Sequence, residues 1–144
     1  MTEPARAASR TALGVAALRA AHLLLDARPS LLDDPVSGVL LAPWALEAIR
    51  QHPKRFQTPG ARALRTHVLL RSRYAEDRLE AAFACGVRQL VVLGAGFDTF
   101  AYRQPAWAGN LTIFEVDQPA SQGHKRAAGG GGRGPAGQPE LRAH

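Results

Sequence analysis

Between Thr11 and Leu24, apolar residues return at helical spacing (Leu13, Ala17, Ala20, Leu24), with Arg10 and Arg28 at the flanks. The spacing predicts a helix that Thr11 can cap and Pro29 ends. Asp33-Asp34-Pro35 is a turn signal, Val36 to Leu41 predicts a short packed segment, and His52-Pro53 and Thr58-Pro59-Gly60 punctuate the chain beyond it. From about Ala61 to Ala84 the helical period returns. Leu64, Val68, Tyr74 or Ala75, Leu79 and Phe83 share one face, and Glu76, Asp77, Arg78 and Glu80 supply a wet one. Gly86 stands where a left-handed residue closes a helix. The period then changes. Gln89 to Leu93 is a short continuous apolar run, the mark of a strand buried on both faces. A second strand is predicted over Leu111 to Asp117 after a short irregular or helical stretch, and Gln118-Pro119 opens another helix. Beyond Arg126 the sequence is rich in glycine without apolar periodicity, which predicts a disordered tail over residues 127–144. The expected organisation is thus a helical extension over residues 1–60, an α/β unit opening over residues 61–126, and the tail.

Composition narrows the function classes. With 46% apolar residues among 144, a packed core is available. The single cysteine, Cys85, excludes an internal disulfide and reads as a small buried residue near a helix end. His22, His52, His67, His124 and His144 form no pair at metal-ligand spacing, so no metal site is expected. The net charge of +6 could point to nucleic acid. Lys54 and Lys125 are the only lysines, however, and the arginines are dispersed rather than gathered into a tract. That bias suits GC-rich coding, and neither a nucleic-acid nor a membrane partner is expected. No run reaches the roughly 18 apolar residues of a membrane span. Thr11 to Leu25 is broken by Arg19 and His22 and lacks a signal-peptide cleavage site, so a cytoplasmic location is expected.

The chemistry lies in Gly94-Ala95-Gly96 after the first strand and in Glu115 and Asp117 on the second. Strand, glycine loop and acid-terminated strand make the opening of a nucleotide-binding sheet: glycines let the backbone approach a ligand, and the acid accepts from ribose hydroxyls. Asp117 follows Gly96 by 21 residues, close to the roughly 20 such an arrangement has. A dinucleotide fingerprint needs a third glycine where Thr99 stands, so the loop favours S-adenosylmethionine, which has no pyrophosphate, over a nicotinamide nucleotide. A nicotinamide-nucleotide fragment, a basic nucleic-acid module and a non-catalytic interaction fragment stay as alternatives.

The string Val92 to Arg103 is similar to the first loop of the leucine carboxyl methyltransferase family. Arg71-Ser72-Arg73 resembles that family's R-[TS]-R segment, and Phe114 to Pro119 its F-E-[VI]-D-x-P segment; Thr11 to Ala20 and Asp34-Pro35 fit its N-terminal pattern. The resemblance implies a Rossmann-like class I methyltransferase sheet and S-adenosylmethionine as cofactor. Arg71, with Arg19 assisting, would pair with the methionyl carboxylate. Gly94 and Gly96 would pass beneath the methionine moiety, and Asp117, with Glu115 nearby, would hold the ribose. The methyl acceptor would be a carboxylate or hydroxyl of a small molecule. A carboxylate needs no general base, and no residue stands out as one. The family pattern continues with further strands and an adenine-contacting, aspartate-led motif that this chain does not carry. The resemblance stops near Lys125-Arg126. The expectation is an incomplete sheet in a truncated, inactive copy, with the glycine-rich tail as a frameshift product.

Overall fold

The computed structural model describes residues 10–129. Six helices and two strands follow in order: α1 Arg10–Leu25, α2 Val36–Val39, α3 Pro43–Gln51, α4 Pro53–Phe56, α5 Pro59–Ala84, β1 Gln89–Leu93, β2 Thr112–Val116 and α6 Pro119–Gly129. The architecture is mixed and helix-rich with a small parallel sheet, as an α/β methyltransferase-like fold allows. None of these helices is long and apolar enough to cross a membrane.

Proline and capping chemistry set many of the boundaries. Pro43, Pro53 and Pro59 occupy first turns, where the missing N–H costs nothing, and Thr58 caps α5 by accepting from Ala61 N at 3.3 Å. Thr11, by contrast, lies inside α1 rather than at its cap. Gly86 closes α5 with φ of 101°, as predicted. Cys85, expected to be buried, is the exposed C-cap residue of that helix.

The buried stripe of α5 differs from the predicted one. Leu64 and Tyr74 are exposed, while Arg65 and Leu69 are buried. Arg65 turns inward because Asp26 accepts from its Nε and Nη2 at 2.8 and 2.6 Å, and Phe56 O accepts from its Nη1 at 2.6 Å. A guanidinium hydrogen-bonded at each of its three nitrogens can be buried where an unpaired one cannot.

Strands β1 and β2 pair in parallel from Gln89↔Thr112 to Leu93↔Val116. Instead of an α-helix, their connection holds two short 3-10 turns, Phe100–Tyr102 and Ala106–Asn110. Phe100, Ala108, Leu111 and Ile113 form a core with Leu79, Phe83, Leu90, Val92 and Trp107 on one sheet face. The other face is bare, contrary to the expectation of a strand buried on both sides. Val91, Leu93, Phe114 and Val116 are 55, 77, 39 and 50% exposed, because no element among the described residues covers them. A second core joins Ala16, Ala20 and Ala21 of α1 to Leu40, Leu41, Ile49 and Phe97, with Ala128 against it. Helix α6 therefore carries order through Gly129, two residues beyond the predicted start of the tail, and residues 130–144 lie outside the described part.

Candidate functional site

The loop leaving β1 turns on two glycines in the left-handed region, Gly94 at φ of 63° and Gly96 at 51°. Any other residue there would cost about 1–2 kcal/mol. Gly94 N and Ala95 N both donate to Val116 O, at 2.8 and 3.3 Å, so the loop stays fastened to the end of β2. One residue on, Asp117 accepts from Gly96 N through Oδ2 and from Gln118 N at 2.6 Å through Oδ1. A carboxylate has about four acceptor positions, so roughly half of those on Asp117 remain for a ligand. Helix α1 closes over the loop, with the Ala12 methyl 3.6 Å from where a Gly96 Cβ would stand.

Arg19, on the same helix, is only 6% exposed. Its Nη2 donates to Ser72 Oγ at 2.9 Å, while Nη1 reaches Thr99 Oγ1 and Asp34 Oδ2 only at 3.5 Å. Asp98 Oδ2 lies 3.8 Å from Nη2, and Nε is buried without a partner. One short hydrogen bond for a buried guanidinium with five donors is unusual, since buried polar groups are nearly always satisfied.

Two buried ion-pair assemblies hold this wall. Asp34 accepts from Thr99 Oγ1 at 2.7 Å and Ser37 N at 3.1 Å, with Arg103 Nε 3.6 Å away; Arg103 in turn forms a two-pronged pair with Glu76. Lys125, on α6, donates to Glu115 Oε1 at 2.7 Å and to Asp98 O at 2.8 Å, tying β2, α6 and the glycine loop together. Burial pushes the Glu115 carboxyl above the usual carboxylate range, with Lys125 pulling against it.

These residues surround a cleft of about 480 Å³ lined by α1 (Thr11, Ala12, Val15, Arg19), by the loop Gly94 to Asp98, and by Asp117, Gln118 and Ser121. Four of the six candidate residues meet there: Arg19, Gly94, Gly96 and Asp117. Glu115 is buried in its pair with Lys125 and does not line the cleft, and Arg71 is exposed on α5, also outside the lining. From the Arg71-Ser72-Arg73 segment it is Ser72 that reaches Arg19; Arg73 pairs with Asp77 on its own helix. Sequence reasoning passed over Asp98, Thr99 and Asp34. Asp98 and Thr99 sit inside the loop string itself, and Asp34 lies in the Asp33-Asp34-Pro35 turn, where it accepts from Ser37 N in the first turn of α2.

The cleft fits S-adenosylmethionine on several counts. Its volume lies within the roughly 300–1,000 Å³ of small-molecule sites. It also offers a partly satisfied guanidinium, free acceptor positions on Asp117 and a glycine backbone bare of side chains.

A family model described as leucine carboxyl methyltransferase matches residues 12–128. Three similar proteins are named as candidate S-adenosyl-L-methionine-dependent methyltransferases. One from Mycobacterium sp. (strain KMS) is 38% identical over 102 residues, covering 67% of this chain and 38% of its own length. One from Mycobacterium ulcerans is 37% identical over 128 residues, covering 81% and 40%. One from Streptomyces coelicolor is 37% identical over 117 residues, covering 76% and 38%. The chain thus spans about two fifths of the length of these curated relatives.

Proposed function

The chain belongs to the leucine carboxyl methyltransferase family, and from that premise we propose that it is the cofactor-binding part of an S-adenosylmethionine-dependent methyltransferase. In this reading residues 61–126 open a Rossmann-like unit, and the described residues 10–60 belong to the helical extension, whose α1 roofs it. The reading rests on one observation: Arg19, the Gly94–Gly96 loop and Asp117 converge on a single cleft from three separate parts of the chain.

When bound, the cofactor supplies an electrophilic methyl on a sulfonium, open to in-line displacement. The chain's own residues bind and orient. Asp117 takes the ribose hydroxyls on its free acceptor positions. Gly94 and Gly96 let the backbone run close beneath the methionine moiety, and Arg19 meets its carboxylate, where a guanidinium fork matches two oxygens. Thr11, Ala12 and Val15 of α1 exclude water from that side. The acceptor is a small molecule presenting a carboxylate or a hydroxyl. A carboxylate oxygen is already nucleophilic and needs only alignment, worth several orders of magnitude in rate.

Titration calorimetry of the chain with S-adenosylhomocysteine tests the cleft directly. Asp117→Asn is expected to weaken binding about 10- to 100-fold, the value of a hydrogen bond to a charged group. An absence of binding by the parent chain would overturn the reading. The family pattern assigns the carboxylate to Arg71 as well; an Arg71→Ala variant that binds like the parent would leave that role to Arg19 alone.

A further inference from the structure

We propose, resting on the reading that this cleft takes S-adenosylmethionine, that Asp98 recognises the ammonium at the cofactor's amino-acid end beside Arg19 at its carboxylate. The two side chains stand next to each other on the cleft wall, with Arg19 Nη2 and Asp98 Oδ2 3.8 Å apart. That is well beyond the roughly 2.7–2.9 Å of a charge-assisted hydrogen bond, so neither group is satisfied by the other.

Asp98 is held in place by everything except that oxygen. Its Oδ1 accepts from Phe100 N at 2.9 Å, and its carbonyl accepts from Lys125 Nζ at 2.8 Å. The side chain nonetheless stays 31% exposed, while the Arg19 side chain is at 7%. The other carboxylate near Arg19, Asp34, is 1% exposed, lies outside the lining and has its acceptors taken by Thr99 and Ser37. Charge complementarity points the same way. The lining holds one cation, Arg19, and two anions, Asp98 and Asp117. A ligand bearing phosphates would face two carboxylates and one guanidinium, whereas an amino acid presents one carboxylate and one ammonium to a matched pair. Adjacent opposite charges on a partly desolvated wall select a zwitterion over either singly charged end.

The test compares S-adenosylhomocysteine with its deaminated and decarboxylated analogues by calorimetry on the 144-residue chain and on Asp98→Asn. Asparagine keeps an oxygen for Phe100 N and removes the charge. The parent is expected to bind the deaminated analogue about 10- to 100-fold more weakly than S-adenosylhomocysteine. Asp98→Asn should show a loss of that size for S-adenosylhomocysteine and for the decarboxylated analogue, and none for the deaminated one. Equal losses for all three ligands would assign Asp98 a purely structural role and overturn the proposal. So would a parent chain indifferent to the amino group, a result that needs no variant to fold. A parent that binds none of the three would remove the cofactor reading and this proposal together.

Discussion

Asp26 accepts from Arg65 in two-pronged fashion and lies 2.8 Å from His22 Nδ1. The Arg65 guanidinium holds its carboxyl below the usual carboxylate range against the opposing effect of burial, and His22 adds to the lowering. A depressed pKa stabilises fully above the unfolded value of about 4 and is lost as pH falls through the folded one. The urea midpoint of the parent chain should therefore drop more steeply on acidification below about pH 4 than that of Asp26→Asn. Parallel slopes would remove Asp26 from the acid response. Gly96→Ala makes a different point. The space around a new Cβ is ordinary van der Waals contact, yet φ of 51° should still cost about 1–2 kcal/mol, readable as a lower melting temperature. At this scale the sequence spoke clearly where a residue type has few other uses: glycines bracketing a tight loop, an acid ending a strand. Arginines are harder to read, because a guanidinium can be paired on the surface or buried. Arg19 lines the cleft, Arg65 was read as neither site nor core, and Arg71 stands in solvent.

Helix α6 and strand β2 are joined by the buried ion pair of Lys125 with Glu115 and by a hydrogen bond that Gln122 Nε2 donates to Glu115 O at 3.1 Å. Replacing Lys125 by Met leaves Glu115 buried without a counter-charge, which should destabilise by about 3–5 kcal/mol in chemical denaturation. Burial already raises the Glu115 pKa, and losing Lys125 removes the main opposing effect. A raised acid pKa favours the fold at low pH and disfavours it as pH climbs, so the deficit of Lys125→Met should shrink on acidification. Adding Glu115→Leu should restore much of the loss; a double variant as unstable as the single one would show that the pair is not the source. Element types and most boundaries were legible, since proline at first turns, Gly86 and the change of apolar period are local signals. The buried face of α5 was not. Periodicity ranks Leu64 above Arg65, and only the distant Asp26 reverses that order. The two-sided burial of β1 failed for the same reason: it depends on covering elements, not on the strand's own residues.

At the scale of the molecule, Val91, Leu93, Phe114 and Val116 stand together on one sheet face that no element among the described residues covers. Contiguous apolar patches of this kind mark contact surfaces or sites of self-association. Leu93→Lys, at the most exposed of the four, should lower the apparent mass in light scattering at high concentration with little change in melting temperature. An unchanged concentration dependence would acquit the face. The cleft, by contrast, needs nothing from that side. Its lining runs from Thr11 on α1 to Ser121 on α6, the first and last helices among the described residues. Synthesis proceeds from the N-terminus at about 5–20 residues per second. Ser121 is therefore made within seconds of the glycine loop but well after Thr11, so the cleft takes shape only once α6 has joined what the first helix and the loop began.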